Sequence, residues 1–187
     1  MKRLILCTVV LAAMYALQSC GNNNTAKTDS TDSAKTMNEA KGTADKDVSD
    51  FTAKAASGGL MEVQLGQYAA QNAVSPRVKA FGNMMVQDHT KANDELKSLA
   101  AAQNITLPGD LSDEQKKHVN ELMQKKGKDF DKAYMDMMVD DHKEDIAEFQ
   151  KAGDNLKDTT IKSFAQRTLP VLNVHLDSAN AIHSAMK

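Results

Sequence analysis

The sequence predicts an all-α protein: an antiparallel four-helix bundle with a short extra helix in the connection between the second and third helices. Three observations carry this. From Val48 onward apolar residues recur at steps of three and four, with no sustained alternation. Aromatics make up 4% of the 187 residues and Trp is absent, while Met reaches 11, a composition that favours helices over a β-sandwich. Hydrophobic residues account for 41%, enough for one core in a chain of this length. The formal net charge of −2 gives no basis for a nucleic-acid surface.

The N-terminal end predicts export. Lys2 and Arg3 form a charged start, and the apolar run Leu4 to Leu17 is too short for a stable membrane span. It ends in Leu17-Gln18-Ser19-Cys20, followed by Gly21, which resembles a lipobox. On that reading residues 1–19 are a lipoprotein signal peptide and Cys20 is lipidated; the alternative is an ordinary secretory signal that ends near a Cys. Cys7 falls inside the signal, so the folded part has no Cys, no disulfide and no thiolate metal ligand. Residues 20–47 are polar, with Met37 the only large apolar side chain, and read as a disordered tether. Flexible-chain scaling gives it a span of about 30 Å. The partner expected at this end is a membrane, reached through Cys20. No acidic run follows Cys20 directly, which favours an outer-membrane protein facing the periplasm.

The bundle domain is expected over 48–187. Helix 1 runs from about Val48 to Ala73, with Phe51, Ala55, Gly58, Glu62, Leu65 and Ala69 on its inward stripe. Helix 2 opens at Ser75-Pro76, a cap residue followed by Pro at the first helical position. Its stripe is Val78, Phe81, Met85, His89, Ala92, Leu96 and Leu99, and it stops near Asn104, before the extended 105–109 connector. Ser112-Asp113-Glu114-Gln115 has the capping-box pattern and starts the short extra helix, which Gly127 interrupts. Helix 3 carries Phe130, Tyr134, Met138, His142, Ile146 and Phe149, ending near Gly153. Helix 4 begins near Asp158 or Thr159 with Ile161, Phe164, Thr168, Leu172, His175, Ala179 and Ile182 inward, and Pro170 is expected to kink it.

Helices 2 and 3 echo each other. Met84-Met85-Val86-Gln87-Asp88-His89 and Met137-Met138-Val139-Asp140-Asp141-His142 agree at five of six positions, more than shared amphipathic patterning requires. Glu62, His89, His142 and His175 are polar residues on otherwise apolar stripes, one on each helix. In a bundle these seams meet, and buried polar groups need partners. Two readings stay open: a Glu/His hydrogen-bond network that only fixes register, or a site for one transition-metal ion. Imidazole and carboxylate suit zinc, iron or copper. Asp88 and Asp141 are further candidates, although each lies about 100° around its helix from the adjacent His and so fits an outer partner or a surface group. Met85 and Met138, each one turn before a His, suit copper(I), although Met on such a stripe is ordinarily core. There is no phosphate loop, nucleophile elbow or His-Glu-x-x-His, so no catalytic residue is assigned.

Ser75-Pro76-x-Val78-Lys79-x-Phe81, Met84-Met85-Val86-x-Asp88-His89-Thr90, Asp129-Phe130-Asp131-x-Ala133-Tyr134 and Leu169-Pro170-x-Leu172-x-x-His175-Leu176 resemble the domain-of-unknown-function family numbered 4142. The resemblance covers nearly all of 48–187 and implies a ferritin-like bundle in an exported bacterial protein, without supplying an activity. One departure matters. Di-iron relatives carry Glu three residues before His, where this chain has Val86, Val139 and Leu172, so a ferroxidase-type di-iron centre is not expected. The reading is a non-enzymatic envelope lipoprotein with a buried Glu/His cluster. The alternatives are a structural or interaction module and a metal-dependent redox enzyme.

Overall fold

Every amphipathic stretch of the sequence becomes a helix. The computed structural model describes residues 29–186, so the signal segment and Cys20 lie outside the described residues. The helices are α1 (Ser30–Lys41), α2 (Lys46–Asn72), α3 (Pro76–Ala102), α4 (Asp113–Gln124), α5 (Gly127–Asn155) and α6 (Thr159–Ser184). The capping box of α4 closes both ways between Ser112 and Gln115. Asp158 caps α6, accepting from the backbone N–H groups of Thr160 and Ile161, and α6 continues through Pro170. Gly127, at φ 60°, makes the left-handed step that separates α4 from α5, a conformation that favours glycine. Ser75 makes no capping bond of its own. Instead the buried Asp131 of α5 accepts from the N–H groups of Val74 (3.0 Å) and Ser75 (2.7 Å), pinning the α2–α3 turn.

Contacts along the bundle fix the helix directions. Phe51 near the start of α2 meets Phe149 near the end of α5, and Tyr68 near the end of α2 meets Phe130 at the start of α5, both with ring centroids 5.0 Å apart. Arg77 at the start of α3 donates to the Ala181 carbonyl near the end of α6, while Arg167 of α6 pairs with Glu95 further along α3. Neighbouring long helices are therefore antiparallel all round the bundle. The segment 103–126, including α4, is the one long crossover between the two hairpins. Helices α2 and α3 approach backbone to backbone at Gly66 and Gly82, where a Cβ added at Gly66 would lie 2.8 Å from the Gly82 carbonyl oxygen.

The core is divided along its length. Leu65, Phe81, Met85, Phe130, Tyr134 and Met138 belong to one apolar cluster, and Phe51, Leu96, Phe149, Ile161, Phe164 and Leu172 to another. On each long helix a polar residue stands between the two: Glu62, His89, His142 and His175.

The expectation of a disordered tether over residues 20–47 is corrected for its described part. Residues 30–41 form α1, which packs on α2. Asn38 is fully buried and holds both sides of one backbone unit: its Oδ1 accepts from Thr106 N (2.6 Å) and its Nδ2 donates to Thr106 O (3.0 Å) and to Ser49 Oγ (3.0 Å). Polar anchoring replaces apolar burial here, which is why composition alone pointed the other way.

Candidate metal centre

The polar layer brings three imidazoles together. The rings of His89, His142 and His175 have centroids 5.2 to 5.7 Å apart, and each offers a nitrogen within 4.8 Å of those of the others. Glu62, His142 and His175 are at most 1% exposed and His89 is 6% exposed, so water is nearly excluded.

Hydrogen bonds decide which nitrogen of each ring is free. His142 Nδ1 lies 2.9 Å from the Met138 carbonyl, which can only accept, so this nitrogen carries the proton and Nε2 presents a lone pair in the neutral ring. His175 Nε2 lies 2.9 Å from Asp88 Oδ2 and donates to that carboxylate, leaving Nδ1 as the lone pair. These two bare nitrogens face each other at 3.2 Å. Glu62 Oε2 accepts from His89 Nδ1 at 2.8 Å, while Glu62 Oε1 stands 3.5 Å from His142 Nε2 with no hydrogen bond. His89 Nε2 is likewise buried without a partner.

Electrostatics follow the same division. Burial works to raise the Glu62 pKa, but the neighbouring charge of His89 and then His142 outweighs it and holds the carboxyl below its ordinary value. Burial works to lower the His89 pKa, and the Glu62 carboxylate outweighs that and raises it. His142 is held below the usual imidazole range by burial. Burial brings His175 down to about 4 despite its bond to Asp88. His175 is thus neutral at pH 7 and burial favours the neutral ring of His142, so both have lone pairs available, while the Glu62 carboxylate favours a proton on His89.

Of the residues expected from sequence, Glu62, His89, His142 and His175 meet at one level. Asp88 reaches the cluster as the acceptor behind His175. Asp141 has a buried Oδ2 without a hydrogen bond, and burial followed by repulsion from Glu62 pushes it up to about 7. Met85 and Met138 pack into the apolar cluster, and it is the backbone carbonyl of Met138 that serves His142. Sequence reasoning missed one side chain, Tyr134, which has a buried hydroxyl without a partner and a raised pKa, from burial and then Glu62. Asp145, one turn beyond Asp141 and so a further possible contributor by sequence, more in keeping with a solvated position, is pushed well above its ordinary pKa by burial and then Glu62.

A family model described as Domain of unknown function (DUF4142) matches residues 32–182. No curated protein and no solved structure matches the chain.

Proposed function

The chain belongs to the DUF4142 family, and we propose that it is an envelope lipoprotein whose helical domain binds one divalent transition-metal ion through His89, His142 and His175. Glu62 Oε1 supplies the fourth donor. A single geometry carries this reading: His142 Nε2 and His175 Nδ1, the nitrogens that the Met138 carbonyl and the Asp88 carboxylate leave as lone pairs in the neutral rings, face each other at 3.2 Å. Left alone, that contact is repulsive. Two nitrogens bound to one tetrahedral zinc ion lie about 3.3 Å apart, given metal–nitrogen bonds of about 2.0–2.1 Å. Behind them, the Met138 carbonyl and the Asp88 carboxylate accept from the far ring nitrogens, the arrangement that orients metal-bound histidines. Three imidazoles and a carboxylate suit zinc, with iron and copper as competitors. The apolar packing of the Met85 and Met138 side chains lends no weight to a thioether copper site.

Membrane attachment through Cys20 rests on the Lys2-Arg3 start, the apolar run and the cysteine that follows it. No described helix is long and apolar enough to cross a membrane.

The test is metal content after purification without chelator and after loading with zinc, iron(II) or copper. One ion per chain is expected in the wild type and none in His142→Ala/His175→Ala. A wild type that stays below a tenth of an ion per chain under all three loadings, about the level of adventitious carry-over, removes the site.

A further inference from the structure

We propose that the buried centre is loaded from one side, along an acidic groove between α2 and α5, with Asp145 passing the cation to Glu62. This rests on the metal-binding reading above. A groove of about 890 Å³ runs over this face, and α1 and α4 contribute to its walls. It carries eight carboxylates against two lysines and His118, so it concentrates cations. Its floor is low because Ala55 and Gly58 offer almost no side chain; a Cβ at Gly58 would meet nothing within 4 Å. A second, much smaller cavity of about 20 Å³ lies against Glu62 and His89. That is room for roughly one water or one ion.

Four residues line both spaces: Ala55, Glu62, Asp145 and Phe149. Ala55 and Phe149 are apolar and bound the passage. Asp145 and Glu62 are the only polar side chains at the junction, and Glu62 Oε1 is buried with no hydrogen-bond partner. A hydrated divalent cation held in the groove meets Asp145 first, exchanges a water for its carboxylate as any proton held there leaves to groove water, and is handed to Glu62 Oε1, which already stands 3.5 Å from His142 Nε2. Asp145 is therefore a loading residue and not one of the final ligands.

The experiment follows cobalt(II) uptake by the full-length, metal-free protein in stopped flow, read from the visible ligand-field bands of the bound ion. Asp145→Asn and, separately, Ala55→Leu are compared with wild type. Both variants are expected to slow uptake and release together by about tenfold or more, leaving the Kd within about twofold and the stoichiometry unchanged. Ala55→Leu changes no charge, so its agreement with Asp145→Asn identifies the passage itself. Uptake at the wild-type rate in either variant overturns the route while leaving the centre intact. A weakened Kd with unchanged uptake in Asp145→Asn makes Asp145 a ligand and also overturns it. A wild type that takes up no cobalt removes the centre, and the route with it.

Discussion

The proton on His142 Nδ1 decides what the rest of the ring can do. Because the Met138 carbonyl takes that proton's hydrogen bond, Nε2 is left to face His175 with a lone pair. The side chains of this arrangement were legible in the sequence as four polar residues on apolar stripes. The carbonyl was not, since a backbone acceptor has no residue type to betray it. Asp141 and Asp145 were legible only as possible contributors, for a related reason. Helical spacing puts them around the side from His142, and only the small residues opposite on α2 leave a trough in which they come close to Glu62. Asp141 has a consequence for pH. Its carboxyl stays protonated in the folded protein up to about 7, against an ordinary value of 3.8, so above that pH folding confines an anion beside Glu62. Asp141→Asn is expected to stabilise the metal-free protein at pH 8, by about 1–2 kcal/mol once the carboxyl's partial exposure is discounted. The gain shrinks as pH falls below 7 and vanishes near 3.8, where the wild-type carboxyl is neutral in both states. Urea titrations with chelator at several pH values measure this, and a pH-independent gain would discount the buried anion.

Helix α1 is the element the sequence hid. The four long helices were legible because their apolar stripes are long, and their observed ends lie close to the expected ones. Helix α1 buries Ala34 and Asn38 while Met37, its one large apolar residue, is 49% exposed. An argument from apolar area therefore finds nothing to hold it. It is held by Asn38 bridging to Thr106 and Ser49, and by Asp29, whose carboxylate accepts from Asp113 N at the start of α4. Asn38→Ala leaves the Thr106 N–H and C=O without these partners, at a cost of about 1–3 kcal/mol. The loss should fall locally. Amide exchange in 30–41 is expected to approach that of an unprotected chain, while α2, α3, α5 and α6 keep their protection. Retained protection in α1 would mean that its contact with α2 alone suffices. The close approach of α2 and α3 was also unreadable in detail. Gly58 was placed on the inward stripe, yet a Cβ there meets open space, while Gly66 and Gly82 make the tight contact. Which glycine faces which helix depends on a register that loop geometry sets.

At the scale of the whole molecule, the polar layer is a break in an otherwise apolar interior. Leu65, Met85 and Met138 belong to one cluster and Leu96, Phe149 and Leu172 to the other, and the Glu62–His89 pair with the two neutral imidazoles stands between them. A layer that exists to fix the fold and a layer that exists to hold an ion make opposite demands on stability. Buried ion pairs recover their desolvation cost poorly, and well-packed apolar replacements are often more stable by about 1–4 kcal/mol. The variant Glu62→Met/His89→Leu/His142→Leu/His175→Leu joins the two clusters into one. If the layer serves an ion, this variant should bind no metal yet melt about 2–10 °C above the chelator-treated wild type, with a single cooperative transition. If the layer serves the fold, losing it costs uniqueness. The transition then broadens and the near-ultraviolet circular dichroism of the packed tyrosines and phenylalanines collapses while helix content survives. The antiparallel hairpins, the crossover and the Asp131 anchor at the α2–α3 turn all lie outside the layer and set the register without it. The expected outcome is therefore the more stable, metal-free bundle.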